Sequence, residues 1–387
     1  MTPAESLTGF RWVEFPEGTE ALRPDRLAEG FIAAGAAVGI KEDGAPDLAL
    51  LASVGGPPSS AMVLTTNAVA AAPVRLCREG LDSERIGAVV VTSGNANCAT
   101  GERGMEVARQ VQGAVAEALD LDPTEVAIAQ TGVIGVQLDP DPVVAAVPRL
   151  ADRLSPEGGG EFAEAILTTD AGTKSLTVTN GGVTVSAQAK GAGMIEPGLA
   201  TMLCFVQTDA VVAEPKAALD EAVGNTFNRI SVDGQMSTND TVLFQASGAS
   251  GLPLPDGLLD AVLLQLALAI VADGEGATRI ARVSVEGADD PDQADRVARA
   301  IGNSPLVKTA LFGRDPNWGR ILQAAGAALK GEDLTGLDEE AVRADELGGP
   351  DDQVEIGIDL RRGDGSGHQY FSDLTHRYIE INAEYTT

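Results

Sequence analysis

The chain has 387 residues, with 57 acidic residues against 27 lysines and arginines, which gives a formal charge of −30. This balance argues against nucleic acid and against an anionic membrane surface as partners, because both are bound through clustered cations. Hydrophobic residues make up 44% of the chain, enough for a folded core. Three cysteines and two histidines argue against a disulfide framework, a multi-histidine metal site and histidine-based catalysis, so no metal is expected.

Residues 1–30 are polar and weakly patterned, which predicts an N-terminal extension, or loose arm, with ordered structure beginning near Phe31. They contain no basic segment followed by an apolar stretch, so no targeting signal is expected. The longest apolar segment, 258–272, is interrupted by Asp260 and Gln265 and is too short to span a bilayer. We therefore expect a cytoplasmic protein.

Strands and helices alternate along the first half of the chain. An apolar strand is predicted within 86–97, and apolar residues at helical spacing follow over 101–119. A second strand, 126–130, runs directly into the segment TGVIG. Apolar and polar residues alternate over 175–193 on both sides of Asn180-Gly181, which predicts a β-hairpin.

The same alternation continues through the second half. Strands are predicted at 202–208, 241–247, 281–287, 353–360 and 378–385, the last two on either side of a glycine-rich loop. Helices are predicted at 214–228, 256–272 and 290–302. The pattern predicts an α/β (α+β layered) fold of an enzyme, not a repeat protein.

Eight stretches rich in Thr, Asn, Asp and Gly interrupt these elements, which suggests one extended polar site at the strand ends. Taken singly, each stretch has a simpler interpretation. TGVIG is typical of a strand-to-turn junction whose glycines relieve backbone strain. DGEGATR is typical of a helix end. Lys190, before a Gly-Ala-Gly loop, is most simply a solvated charge at a strand end.

The segment 197–203 is the most informative of these. Ala200 precedes Thr201, which opens an apolar strand. An N-terminal-nucleophile enzyme needs this arrangement: the hydroxyl attacks the preceding peptide, and cleavage leaves a threonine with a free α-amine. That amine has a pKa of ~7.7–8.0 and can act as a general base. The alternative is that Thr201 begins a strand only because of its β-propensity.

From about residue 31 to the C-terminus the chain resembles the ornithine acetyltransferase family, the glutamate N-acetyltransferases of arginine biosynthesis. The resemblance depends on the order and number of several sequence blocks, which are TTNAVAAAPV, SGNANCATGERG, TGVIG, TTD, KGAGM, ATML, VDG, STNDT, DGEGAT, NSPLVKTALFGRDPNWGRIL and INAEYTT. FGRDPNWGRIL and STNDT are individually specific, whereas TTD alone is not.

The resemblance implies a self-cleaved enzyme with a two-lobed fold similar to N-terminal-nucleophile layering. Cleavage between Ala200 and Thr201 would separate an α chain, which is the region 31–200 preceded by the extension 1–30, from a β chain, 201–387. The two chains would assemble as α2β2. Thr201 is the implied nucleophile, and Thr131 and Gly132 are the implied oxyanion donors. The implied substrate contacts are made by Thr168, Lys190, Thr201, Glu275, Asn382 and Thr387.

The implied reaction is a ping-pong transfer of acetyl from N-acetylornithine to glutamate through acetyl-Thr201. No cofactor is expected, although acetyl-CoA could serve as a donor. Gln235 and Met236 stand where an acidic residue and a threonine are usual, which leaves open a secondary-metabolism paralogue with another acceptor. Two further hypotheses remain: a related amidase or aminopeptidase with water as acceptor, and a non-catalytic amino-acid-binding protein.

Overall fold

The computed structural model describes residues 9–196, 202–332 and 336–384. Within these ranges the strands are β1 (Glu20–Ala21), β2 (Phe31–Ala36), β3 (Leu48–Ser53), β4 (Ser59–Leu64), β5 (Ala88–Asn95), β6 (Val126–Val133), β7 (Lys174–Asn180), β8 (Val183–Lys190), β9 (Leu203–Thr208), β10 (Ile230–Ser231), β11 (Thr241–Ala246), β12 (Ile280–Ala288), β13 (Val342–Arg343), β14 (Gln353–Asp359) and β15 (Gly365–Ser372). The helices are α1 (Ala72–Gly80), α2 (Gly101–Leu119), α3 (Asp141–Ala151), α4 (Gly159–Ala165), α5 (Pro215–Asn225), α6 (Leu258–Ala272), α7 (Pro291–Gly302), α8 (Pro305–Gly313), α9 (Trp318–Ala328) and α10 (His376–Glu384).

In the described ranges the strands form three sheets. A six-stranded sheet has the order β1-β7-β8-β9-β11-β4, a five-stranded sheet the order β10-β15-β12-β14-β13, and a four-stranded sheet the order β2-β3-β5-β6. Each sheet mixes parallel and antiparallel pairs; β9 and β11, for example, are parallel, whereas β8 and β9 are antiparallel. The predicted mixed α/β fold class is therefore confirmed.

The sheets and helices stack in layers. Helices α1, α2 and α3 cover one face of the four-stranded sheet, and α4 lies between its other face and the six-stranded sheet. Phe162 of α4 packs edge-on against Phe205 of β9, with ring centroids 5.2 Å apart. Helices α5 and α6 bury the far face of the six-stranded sheet, while α7, α8 and α9 cover the five-stranded sheet.

Several predicted elements are found close to their predicted bounds. Helix α2 covers 101–119, as its spacing predicts, and its apolar side chains face the core. The predicted hairpin is present; Asn180 pairs with Val183, and Gly181-Gly182 form the two-residue turn with φ of 57° and 88°. Helix α6 is apolar on nearly every face because it is buried between two layers. In the described part of the chain, no helix combines the length and apolarity needed to cross a membrane.

The N-terminal segment differs from its prediction. Residues 9–30 are not a loose arm, because they pack along the six- and five-stranded sheets. Strand β1 extends the six-stranded sheet by pairing with β7. The Trp12 indole donates to Glu355 at 2.9 Å and lies 5.4 Å from the Tyr370 ring. The local sequence pattern does not predict this packing, because Trp12 meets partners more than 300 positions away and β1 pairs with the distant strand β7.

The predicted C-terminal strand, 378–385, is also wrong over its described part. Residues 376–384 form helix α10. The Thr375 hydroxyl accepts a hydrogen bond from the Tyr378 N–H at 3.3 Å, which is typical of a helix N-cap. The glycine-rich loop before it is instead strand β15, whose Gly367 lets helix α7 approach: an added Cβ would lie 2.3 Å from the Asp295 carboxylate.

Candidate active site

Loops from several separate elements meet around one cavity of about 260 Å³. Its walls combine the end of β6, the loop before β7, the end of β8, the loop after β10, the loop after α6 and helix α10. The lining residues are Thr131, Gly132, Thr168, Thr169, Lys190, Gly193, Met194, Asp233, Gln235, Met236, Glu275, Tyr378 and Asn382. Elements far apart in the sequence thus supply one polar site, as the distribution of small and polar loops predicts.

Lys190 is the principal cation of the cavity, and it is buried rather than solvated. It is the last residue of β8 and is 2% exposed, so the simple interpretation as a solvated strand-end charge is wrong. Its ammonium lies 3.8 Å from the buried Asp170 carboxylate. Burial lowers the pKa of Lys190, and the carboxylate of Asp170 offsets this effect only in part. A dry cation of this kind suits an anionic group on a substrate.

Asp170 fixes the surroundings of Lys190. Its carboxylate bonds the Lys174 ammonium at 2.7 Å and the Gly191 N–H at 2.6 Å. Burial alone would raise the pKa of Asp170, but Lys190, Lys174 and these hydrogen bonds outweigh it and hold the pKa below its ordinary value. Its second oxygen accepts the Thr168 N–H at 3.1 Å. One carboxylate therefore ties the Thr168 loop to the end of β8.

Thr131 and Gly132, near the end of β6, line the cavity beside Lys190. Gly132 has a φ of 128°, and an added Cβ would lie 2.3 Å from the backbone of Gly94 on the paired strand β5. The junction therefore requires glycine for backbone reasons, as TGVIG predicts, and it also lines the cavity. The Thr131 hydroxyl oxygen accepts from the Lys190 ammonium at 3.4 Å, which leaves the hydroxyl proton to be donated elsewhere.

Glu275 brings a negative charge to the same cavity. The Glu275 N–H donates to the Ala192 carbonyl at 2.9 Å, so the loop after α6 lies against the loop after β8. An added Cβ on Gly193 would lie 2.6 Å from the Glu275 carboxyl carbon, so a larger residue here would displace the Glu275 side chain. The Asn382 amide of α10 donates to Glu275 at 2.7 Å. The helix thus contacts the acidic side of the site.

Asp233 and Tyr378 also line the cavity, and neither has an assigned role in the sequence-based prediction. Asp233 accepts the Met194 N–H at 2.6 Å and the Ile195 N–H at 2.9 Å, which fixes the loop after Lys190. Burial nevertheless raises its pKa. The Tyr378 hydroxyl lies 3.5 Å from Asp233, and burial together with that carboxylate raises the pKa of the phenol. The sequence block VDG contains Asp233, whereas Tyr378 lies in a segment for which the sequence predicts a strand.

The structure brings together six of the predicted site residues, which are Thr131, Gly132, Thr168, Lys190, Glu275 and Asn382. Ala200, Thr201 and Thr387 lie outside the described residues, so the predicted nucleophile, scissile bond and terminal contact remain predictions. Among the described residues, no group of histidine, cysteine, aspartate and glutamate side chains is arranged to hold a metal ion. The charged residues that line the cavity are instead one lysine, Lys190, and two acidic residues, Asp233 and Glu275.

Comparison with known proteins identifies the family. The profile of the ArgJ family matches residues 32–387. The chain is 44% identical over 390 residues to the arginine biosynthesis bifunctional protein ArgJ of Thermus thermophilus, covering 94% of this chain and 99% of that protein. It is 43% identical over 393 residues to the protein of the same name from Nitratidesulfovibrio vulgaris, covering 92% and 98%. The chain belongs to the ArgJ family.

A third ArgJ relative carries a narrower name. The glutamate N-acetyltransferase of Methanosarcina mazei is 44% identical over 361 residues, covering 85% of this chain and 91% of that protein. Among solved structures, the ornithine acetyltransferase of Mycobacterium tuberculosis complexed with ornithine is 38% identical. It covers 46% of this chain and 98% of its own, with a TM-score of 0.44. The present chain is an acyltransferase of the ArgJ family.

Proposed function

We propose that the chain transfers an acetyl group from N-acetylornithine to glutamate through an acetyl ester on Thr201. The observation that carries this proposal is the single cavity in which Lys190 and Glu275, of opposite charge, lie with Thr131 and Gly132. An amino-acid substrate offers a carboxylate and an amine, which such a pair can bind. The relative named glutamate N-acetyltransferase supports glutamate as the acceptor.

The first step of this proposal is maturation. The Thr201 hydroxyl attacks the Ala200 carbonyl carbon, the C–N bond breaks, and an ester forms between the two residues. Water then hydrolyses the ester, leaving a carboxylate on Ala200 and a free α-amine and hydroxyl on Thr201. The two fragments keep the layers of the folded chain and resemble the architecture of N-terminal-nucleophile enzymes. We propose that they assemble as α2β2 in the cytoplasm.

The second step is acetyl transfer. The Thr201 α-amine takes the hydroxyl proton as the oxygen attacks the acetyl carbonyl, and ornithine leaves with that proton on its amine. The glutamate amine then attacks the ester and releases N-acetylglutamate. In this proposal Thr131 and Gly132 donate to the developing oxyanion, a contribution of ~3–4 kcal/mol per donor. Thr168, Asn382 and Thr387 complete the substrate contacts in this proposal.

The deciding experiment combines a mass measurement with kinetics on purified wild-type protein. We expect two fragments, 1–200 and 201–387, the second beginning Thr-Met-Leu-Cys. We also expect glutamate to accelerate the loss of N-acetylornithine, with parallel double-reciprocal plots typical of ping-pong kinetics. An intact chain that binds ornithine without turnover would favour the non-catalytic hypothesis. Turnover independent of glutamate would favour the amidase.

A different acceptor is the second candidate, because Gln235 and Met236 both line the cavity. The Met236 carbonyl accepts from the Asn67 amide at 3.0 Å, so this part of the wall is held in place. An uncharged wall here could select an acyl acceptor other than glutamate. Comparing kcat/KM for glutamate with that for a panel of amines at fixed N-acetylornithine separates the two. A preference for another amine would change the substrate and leave the mechanism intact. Acetyl-CoA is tested as a donor in the same assay.

Replacing Asn382 with alanine is expected to lower kcat/KM for N-acetylornithine about tenfold, or about 1.4 kcal/mol. The amide fixes Glu275 through a 2.7 Å hydrogen bond, and its loss frees that carboxylate. The melting temperature is expected to change little, because Asn382 is exposed on the last helix. Glu380→Ala on the same helix is the matched control, since Glu380 pairs with Arg377 on the surface. If both variants changed kcat/KM equally, Asn382 would have no specific role in the reaction.

A further inference from the structure

The segment 237–241, STNDT, lies behind the cavity and joins its two sides. Asn239 and Asp240 are 4% and 0% exposed, and neither lines the cavity. Their side chains bind different parts of the molecule. The contacts of Asn239 lead to the wall of Thr131, and those of Asp240 lead to the residue that follows Thr201.

Asn239 holds the backbone from which Thr131 starts. Its side-chain amide donates to the Gln130 carbonyl at 2.8 Å and to the Ala96 carbonyl at 2.7 Å. The Gln130 carbonyl and the Thr131 N–H belong to one peptide unit. Because a peptide unit is planar, fixing the carbonyl also fixes the direction of the N–H. Asn239 therefore orients the start of the Thr131–Gly132 segment and ties it to the end of β5.

Asp240 holds the other side. Its Oδ1 accepts the Met202 N–H at 3.0 Å, and the Thr241 N–H donates to the Met202 carbonyl at 3.2 Å. Met202 is thus held at both of its backbone polar groups. It is covalently bonded to Thr201, so this contact fixes the point from which the Thr201 residue departs. Consecutive Cα atoms are ~3.8 Å apart, which makes Asn239 and Asp240 a short link between the two sides.

The second oxygen of Asp240 adds an independent observation. Among the residues that the structure describes, Oδ2 is buried and has no hydrogen-bond partner. Burial raises the pKa of Asp240 well above its ordinary value. Within the described residues this leaves a buried polar atom unpaired, which costs ~1–3 kcal/mol. The contact that Asp240 does make is as the acceptor for the Met202 N–H.

We propose that Asn239 and Asp240 are positioning residues that together set the separation between the Thr201 hydroxyl and the Thr131–Gly132 donors. This proposal rests on the proposed function, which assigns those roles to Thr201, Thr131 and Gly132. Both the self-cleavage and the acetyl transfer need the same separation, because each passes through an oxyanion formed by attack of the same hydroxyl. An error of about 1 Å in such a distance can lower the rate of catalysis by about 100-fold. Substrate binding depends on other elements and is expected to remain.

The test compares three leucine variants of the full chain. Asn239→Leu and Asp240→Leu remove the two holding contacts. Gln245→Leu is the matched control: Gln245 lies on β11, is 0% exposed and donates to the Ile86 carbonyl at 2.7 Å. Its side-chain oxygen also has no hydrogen-bond partner within the described part of the chain. Each variant is followed by intact mass from synthesis onward, by kcat and KM on the cleaved form, and by melting temperature.

We expect Asn239→Leu and Asp240→Leu to slow self-cleavage and lower kcat by at least about 100-fold, with KM for N-acetylornithine within about threefold of wild type. Gln245→Leu should show normal self-cleavage and a normal kcat, even if its melting temperature falls as much as those of Asn239→Leu and Asp240→Leu. Asp240→Asn keeps an oxygen that can accept the Met202 N–H, so it should recover cleavage and kcat to within about fivefold of wild type. If the leucine variants do not fold, Asn239→Ala and Asp240→Ala should give the same division between kcat and KM.

Two results would overturn the proposal. One is that Asn239 and Asp240 variants behave like Gln245→Leu in cleavage and kcat. The other is that their losses appear in KM instead of kcat. If wild-type protein neither cleaves nor transfers acetyl, the proposed function fails, and the positioning roles fail with it. If wild type does both and only the variants behave unexpectedly, the positioning proposal alone fails.

Discussion

Replacing Thr201 with alanine is expected to leave a single uncut chain and to abolish acetyl transfer. Alanine lacks the oxygen that would attack the Ala200 carbonyl, so no ester can form. The same substitution removes the acceptor of the acetyl group. Loss of a nucleophile typically lowers kcat by at least about 10⁴-fold. Intact mass and initial rates with N-acetylornithine and glutamate measure the two effects on one sample.

Thr201→Ser is the control for this substitution. Serine keeps the oxygen but loses the methyl group that restrains χ1, so slow cleavage and reduced turnover are expected. Wild-type rates in Thr201→Ala would assign the chemistry to another residue. Cleavage without turnover in the serine variant would separate maturation from transfer and leave the nucleophile assignment in place.

Replacing Lys190 with methionine should have the second-largest effect. Methionine is an unbranched apolar side chain, so the change removes the charge and keeps much of the volume. The substrate carboxylate would then enter a dry cavity without its cation. We expect kcat/KM for N-acetylornithine to fall by about 100-fold, or about 2.7 kcal/mol, within the range for hydrogen bonds to charged groups. Asp170 keeps its 2.7 Å contact with Lys174, so the fold should persist.

Lys216→Met is the matched control, because the ammonium of Lys216 pairs with Asp220 on the surface at 2.6 Å. Exposed pairs contribute only ~0–1 kcal/mol, and neither stability nor kcat/KM should change much. Melting temperatures of both variants separate a binding defect from unfolding. If Lys190→Met lost its melting transition, the kinetic loss would have a structural cause. If kcat/KM stayed within threefold of wild type, Lys190 would not be a substrate contact.

Local sequence patterns predict an element correctly where the conformation depends mainly on residues close together in the sequence. The period of apolar residues in α2 and the Asn180-Gly181 turn predicted a helix and a hairpin that the structure contains. Sequence could also nominate six residues of the cavity, but only through the ordered blocks shared with a family. Composition and spacing alone favoured a solvated Lys190, because burial of a charge depends on a distant partner. Asp170 supplies that partner from another loop.

Helix α10 illustrates the limit of β-propensity. Tyr378, Ile379 and Ile381 are strand-forming residues, and the sequence predicted a strand. In the structure the Thr375 hydroxyl caps the segment, and the Asn382 amide binds both Glu275 and the Tyr378 carbonyl. Ile379 remains 62% exposed, so apolar burial does not drive the helix. Helix α10 therefore forms with tertiary contacts to the cavity loops, although the β-propensity of its residues favours a strand.

The six-stranded sheet has a consequence for a chain cut before Thr201. Strands β9 and β11 come after the cut, and β7, β8 and β4 come before it. In the order β7-β8-β9-β11-β4, the second fragment's strands are interleaved between two strands of the first. Separating the fragments would break two full hydrogen-bonded ladders, Lys190 to Val185 against β9 and Leu64 to Ser59 against β11. Peptide-bond cleavage would then change the number of polypeptides without releasing either one, and an affinity tag on one fragment would retrieve both.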